Sequence, residues 1–229
     1  ERIPARALTL QDMAARASLP APAVHLLTNA LNARRNVVVV GPRSSGRRMV
    51  LGALLASIPM NDRVMIVEDR DELTRSRRDA AALRAEGDWS LAADLATRMR
   101  AHRIVFSETN ESVARAFVGA LSTGAEGMLL TVEAPSALTG LGRLAALAAH
   151  GAGLSRDEAA ARLVATRPLI VETARFGDGQ CRVTGISELR GSESNMQVSG
   201  LFTVRIEGAD AAGNLSVHLV PTGASPSFA

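Results

Sequence analysis

The stretch Asn36-Val37-Val38-Val39-Val40-Gly41-Pro42-Arg43-Ser44-Ser45-Gly46-Arg47-Arg48 decides how the chain folds. Asn36 to Val40 reads as a buried strand. The residues after it place Gly41 and Gly46 in the frame G-x-x-x-x-G-K-[ST], a glycine-rich turn that carries a strand into a helix around phosphate. Both glycines match the frame and both terminal positions miss it. A lysine there meets the outer phosphates, and a Ser/Thr hydroxyl holds the magnesium that neutralises them; this chain has Arg47 and Arg48 instead. Arg47 can still reach phosphate through its planar fork, and with Arg43 beside it the loop attracts anions. Arg48 offers only donors and positive charge, so a magnesium ligand is lost.

Outward from the loop, strands and helices alternate. Thr9 with Asp12 three residues on predicts an N-capped short helix to about Ala17. Pro20 and Pro22 open a second helix, in which Val24, Leu27, Ala30 and Leu31 recur at helical spacing until Arg34-Arg35 close it. After the loop we expect a helix over Arg47 to Ser57, a strand over Arg63 to Glu68, a helix over Leu91 to Arg100 and a strand over Arg103 to Ser107. An Asn110-capped helix to about Ser122 and a strand over Gly127 to Val132 follow. Helices over Ser136 to His150 and Ser155 to Thr166 precede strands over Leu169 to Arg175 and Cys181 to Glu188, which turn at Asp178-Gly179. The last strands are Val198 to Glu207 and Leu215 to Val220, around a loop at Gly208 to Asn214. Such alternation predicts an α/β fold, a mainly parallel sheet flanked by helices, with a small C-terminal antiparallel β element packed on the core. The expected divisions are a helical lead-in over 1–35, the core over 36–175 and a β-rich segment over 176–229. Leu138 to Ala149 is apolar nearly all round, which predicts burial or a subunit interface.

With 229 residues, 47% hydrophobic and 21% charged, the chain can bury one substantial core and a small appendage. It opens on Glu1, and an upstream domain is expected. No run approaches the roughly 18 apolar residues of a membrane span, so no span is expected and a cytosolic location is the default. Cys181 is the only cysteine, which excludes an intramolecular disulfide. No C-x-x-C pair occurs, and His25, His102, His150 and His218 are far apart, so no metal site is expected from them. All 26 basic residues are arginine, spread along the chain with few aromatics between them; nucleic acid is not the expected partner. Arginine for lysine at 47 fits this bias. Threonine is used freely elsewhere, so Arg48 needs another reason.

Read together, these segments resemble the traffic ATPases of type II and type IV secretion and pilus assembly, most closely the Tad/Flp pilus branch. The resemblance runs through Leu8-Thr9-Leu10-Gln11-Asp12, the glycine loop and Ile58-Pro59. It continues in Val64-Met65-Ile66-Val67-Glu68-Asp69-Arg70-Asp71-Glu72-Leu73, which looks like the family's acidic box E-D-x-x-E-L. Met99 to Val105 is similar to the lead into a second acidic motif, ending at Ser107-Glu108; Ala120 to Thr131 and Pro221 to Phe228 match later segments. The resemblance implies a RecA-like P-loop NTPase core and a hexameric ring on the cytoplasmic face of the inner membrane. There ATP hydrolysis works through a membrane platform protein. It also implies that Glu68 polarises the attacking water and that Glu108 orients the metal or senses the third phosphate.

The departures cluster at this chemistry. Besides Arg47 and Arg48, Ser107 replaces the glycine before Glu108, and Glu133 stands where the family has histidine in T-x-H-A. The arginine-bearing connection between the two acidic motifs is shortened; Arg75, Arg77 and Arg78 lie there and read as surface arginines. The expected nucleotide loop is Gly41, Arg43, Ser44, Ser45, Gly46, Arg47 and Arg48, with ATP and magnesium as the ligands if any nucleotide binds. The expectation is a degenerate subunit, a pseudo-ATPase that partners the platform protein or a catalytically active paralogue. The alternatives are an active ATPase with an unconventional loop and a nucleotide sensor that does not hydrolyse.

Overall fold

The computed structural model describes residues 8–16, 18–192, 195–209 and 215–228. Two short helices, α1 (Leu10–Ala15) and α2 (Ala21–Asn32), lead into β1 (Val37–Gly41). After it come α3 (Arg47–Ala56), β2 (Val64–Glu68), β3 (Ala81–Arg84), α4 (Trp89–Arg98), β4 (Arg103–Phe106), α5 (Glu111–Ser122) and β5 (Leu129–Glu133). The remainder is α6 (Ala137–Ala152), α7 (Arg156–Thr166), β6 (Leu169–Arg175), β7 (Cys181–Ser192), β8 (Asn195–Ala209) and β9 (Leu215–Pro221).

Local chemistry sets most of these boundaries. Thr9 and Asp12 form a reciprocal capping box at α1, and Ser155 and Glu158 do the same at α7. Asp88, Asn110 and Ser136 cap α4, α5 and α6 through their side-chain oxygens. Asp88 accordingly starts α4 two residues ahead of the expected position.

The nine strands of the described residues join one sheet in the order β3-β2-β4-β5-β1-β6-β7-β8-β9. The first six are parallel, and β6 to β9 pair antiparallel in succession. The central strand β1 is covered on both faces, which is why it is an unbroken run of valine. Val38 and Val40 face the layer of α4, α5, α6 and α7; Val37 and Val39 face α1, α2 and α3. In α6, Leu141, Leu144, Ala145 and Ala148 are buried, while Leu138 is exposed.

The sheet adds two features to the sequence expectation. The expected C-terminal antiparallel strands join the core by extending its edge, because β6 pairs with β1 on one side and with β7 on the other. The unexpected strand β3 is a short, mostly exposed Ala-Ala-Leu-Arg run, which among the described residues pairs with β2 alone; its pairing comes from the neighbour and not from β propensity. The loop expected at Gly208 to Asn214 falls, from residue 210 onward, outside the described residues.

At the N-terminal ends of the parallel strands a buried ionic cluster ties the layers together. Arg103 is 1% exposed. Its Nε donates to Asp62 at 2.6 Å and its Nη2 to the Leu31 carbonyl at 2.7 Å. Arg34 donates to the same aspartate at 3.0 Å. Burial by itself would raise the Asp62 pKa, but the hydrogen bond and charge of Arg103, helped by Arg34, hold it below the ordinary value. Arg77 is not a surface arginine: it is buried and donates to the carbonyls of Ile58 at 2.6 Å and Pro59 at 3.0 Å, so it braces the α3–β2 connection.

Candidate functional site

Four parallel strands end side by side at a cavity of about 400 Å³. Gly41 closes β1, Glu68 closes β2 with Asp69 after it, Ser107 and Glu108 follow β4, and Glu133 closes β5. The C-terminal edge of a parallel sheet is where α/β proteins hold ligands, because the helices that follow each strand start there. The lining is Arg43 to Met49 together with Asp69, Arg70, Glu108 and Glu133.

Geometry explains both glycines. A Cβ on Gly41 would collide with the Thr173 hydroxyl and carbonyl of β6 and with Ser45 Oγ. Gly46 has φ 89°, a left-handed conformation, and its added Cβ would lie 2.8 Å from Cys181 Cβ. Ser45 Oγ turns away from the cavity to Thr173 Oγ1 at 2.8 Å, and Cys181 Sγ contacts the Ser44 carbonyl at 3.3 Å. The loop is thus held from behind by β6 and β7. No side chain caps α3, so the amides of its first turn face the cavity end unshielded, a setting that favours anions. Arg43 makes no ion pair or hydrogen bond with the described residues.

The two unusual arginines are both held by carboxylates. Arg47 Nη1 donates to the Gly41 carbonyl and, at 2.7 Å, to the Pro42 carbonyl, while Nη2 meets Glu133 Oε2 at 3.0 Å. Arg48 Nη2 bonds Glu108 Oε1 and lies 3.6 Å from Asp69 Oδ1; Nη1 donates to Glu72 Oε2 at 3.0 Å. Burial would lower the Arg48 pKa, yet the charges of Glu108, Glu72 and Asp69 raise it, so this guanidinium is permanently charged.

Glu68 has another setting. Its carboxylate is fully buried and accepts from the amides of Glu72, Leu73 and Thr74 at 3.0, 2.8 and 3.1 Å, and from the Thr74 hydroxyl. It closes the Asp69–Thr74 turn like an internal cap and does not line the cavity. Asp69 and Arg70 line it in its place. The structure therefore gathers Arg43, Ser44, Ser45, Gly46, Arg47, Arg48, Glu108 and Glu133 at one cavity, and leaves Gly41 and Glu68 outside its lining. Asp69 and Glu72 were not read as site residues in the sequence. Their signal was present in the acidic box, but which of its carboxylates reaches Arg48 depends on how the turn folds around Glu68.

Magnesium does not fit this donor set. A divalent cation needs oxygen ligands, and at position 48 the chain presents a guanidinium that itself occupies Glu108, Glu72 and Asp69.

A family model described as type II/IV secretion system protein matches residues 2–202. The type IV secretion system protein VirB11 of Bartonella quintana is 29% identical over 175 residues, 71% of this chain and 49% of its own length. The conjugal transfer protein TrbB of Rhizobium radiobacter is 29% identical over 174 residues, 74% of this chain and 53% of its own. The chain spans about half the length of the curated relatives it matches. Among solved structures, the VirB11 ATPase from the Brucella suis type IV secretion system, in complex with sulphate, superposes with a TM-score of 0.66 at 21% identity. It covers 77% of this chain and 54% of that one. The Legionella pneumophila ATPase DotB superposes with a TM-score of 0.60 at 15% identity, over 83% of this chain and 52% of its own. These two likenesses are of fold.

Proposed function

The chain belongs to the type II/IV secretion system protein family, and from that premise we propose that it is a member that has given up hydrolysis, a pseudo-ATPase subunit of a secretion or Tad-like pilus assembly machine. The observation that carries this reading is Arg48. Its guanidinium bonds Glu72 and Glu108 and lies beside Asp69, at the position where the family's loop offers a hydroxyl to magnesium. Phosphoryl transfer relies almost wholly on positioning and charge stabilisation. A guanidinium tied to the strand-end carboxylates removes the metal's ligand and engages Glu108 at once. Glu68 adds to this, since a carboxylate with four hydrogen-bond donors on its oxygens has little left for an attacking water.

On this reading the subunit works by shape. It joins a hexameric ring, homomeric or mixed with a catalytically active paralogue, on the cytoplasmic side of the inner membrane, and transmits or limits movement against a platform protein. Among the described residues no helix is long and apolar enough to cross a membrane. Phosphate release from ATP by the purified protein, with magnesium, tests the reading: background turnover is expected. Turnover that disappears in Glu68→Gln would falsify it.

A second reading, a nucleotide sensor without turnover, is favoured by a separate observation. The glycine loop ends on Gly46 in a left-handed conformation, no side chain caps α3, and Arg43 makes no ion pair or hydrogen bond with the described residues at a cavity of about 400 Å³. Binding that favours one ring geometry would couple nucleotide level to assembly. A melting-temperature shift with nucleotide is its expected sign.

A further inference from the structure

We propose that the outer face of α4 binds the same face of a second copy of this chain, the two helices running antiparallel about a two-fold axis at Leu95. The inference does not depend on how the cavity is read.

α4 is packed with its small residues inside and its large ones outside. Ala92, Ala93 and Ala96 are buried, whereas Leu91, Leu95 and Met99 are 58%, 39% and 48% exposed. The neighbouring helix α5 has the usual order, with Val113, Phe117, Val118 and Leu121 buried. Positions 91, 95 and 99 recur every four residues, so they form one ridge along the helix. Single exposed apolar residues need no explanation, but a contiguous row marks a surface that another element covers.

Both ends of the ridge are fixed. Asp88 caps the Leu91 amide at 3.0 Å, and Arg63 donates to the carbonyl of Met99 at 2.9 Å and to that of Arg100. A partner therefore meets a preformed surface and little ordering entropy is lost.

The surrounding charges select the partner. Glu86 and Asp88 stand at the N-terminal end, Arg98 and Arg100 at the C-terminal end, and all four are exposed. The side chains of Glu86, Arg98 and Arg100 make no ion pair or hydrogen bond with the described residues. A uniformly acidic or basic partner would suit only one end, and a parallel copy would set like charges together. An antiparallel copy suits both. With Leu95 against the partner's Leu95, Leu91 lies opposite the partner's Met99, and Arg100 comes within roughly 3 Å along the axis of the partner's Asp88, with the partner's Glu86 just beyond. The 10-residue helix is about 15 Å long, so the contact falls short of the roughly 800 Å² per partner of a stable complex, and the pairing is weak and reversible. An isologous contact closes on two copies and is separate from the head-to-tail contact that a ring requires.

Sedimentation equilibrium of the chain over about 5–500 µM at low ionic strength reads the pairing, with an expected dissociation constant of about 100 µM. Leu95→Asp should weaken it at least about tenfold. Arg100→Glu alone and Glu86→Arg alone each bring like charges together and should weaken it about fivefold. An equimolar mixture of these two variants, and the double variant, should pair as the parent does. If Leu95→Asp loses its fold, the charge exchange at exposed positions still decides. A monomer at every concentration overturns the proposal. So does a dimer that these substitutions leave unchanged, which would put the self-contact elsewhere on the chain. Weakening by the single charge reversals with no recovery in the mixture overturns the antiparallel two-fold arrangement.

Discussion

Arg47 and Glu133 meet across the cavity, Nη2 to Oε2 at 3.0 Å, although 86 residues separate them. The resemblance expects a lysine at the first position and a histidine at the second. In the fold the two residues are coupled: the carboxylate takes up the charge that the guanidinium brings, and the same guanidinium holds the loop carbonyls of Gly41 and Pro42. A double-mutant cycle over Arg47→Ala and Glu133→Ala should give a coupling of about 0.5–1 kcal/mol in denaturant unfolding, weaker at high salt because Glu133 is half exposed. Strict additivity would show that the pair is incidental.

Arg48 makes the same kind of compensation with the acidic box. Replacing it in Arg48→Thr leaves Asp69, Glu72 and Glu108 facing one another with no guanidinium, and supplies a hydroxyl. We expect a loss of about 1 kcal/mol without magnesium, and a magnesium-induced rise in melting temperature of about 2–4 °C that the parent lacks. A magnesium effect of equal size in both proteins would contradict the role given to Arg48.

Glu68 acts on stability. In Glu68→Gln the amide group would turn a donor toward the donors of the Glu72–Thr74 turn, so a buried bond is lost and another group is left unmet. The expected cost is about 2–4 kcal/mol in urea unfolding, with no change in phosphate release above background. A neutral effect on stability would show that the turn does not depend on the carboxylate.

Asp62 gives the fold an acid limit. Its folded pKa lies below the ordinary value of 3.8 for an aspartate, so the unfolded chain takes up the proton first as pH falls. The stability it contributes is complete above that ordinary value and is lost as pH drops through the folded pKa. Unfolding free energies of the parent and of Asp62→Asn should therefore differ most near neutrality and converge below about pH 4. A constant difference down to pH 2.5 would remove Asp62 from the account.

Gly46→Ala meets two penalties, a left-handed backbone at φ 89° and the Cβ of Cys181 at 2.8 Å. The expected loss is about 1–3 kcal/mol, partly recovered when Cys181→Gly removes the opposing atom. Full recovery would assign the whole effect to contact, and none would assign it to backbone strain.

Much of this protein is settled by local sequence. The capping residues Thr9, Asp88, Asn110, Ser136 and Ser155 start their helices because a side-chain oxygen reaches an amide two or three residues on, whatever surrounds it. The valines of β1 and the two glycines of the loop likewise announce a buried parallel strand followed by a tight turn into a helix. Three things were decided only by tertiary structure. β3 exists because β2 offers it an edge, and the antiparallel strands continue the sheet because β6 had an edge to give. The third is the charge state of the site. Arg47 finds Glu133 and Arg48 finds Glu108 across 86 and 60 residues because the strand order β4-β5-β1 brings those strand ends together. Periodicity and spacing act over a few residues, whereas an ion pair depends on distance in space. The sequence therefore determined that two arginines follow a glycine-rich loop, and the fold determined that both are already paired with carboxylates.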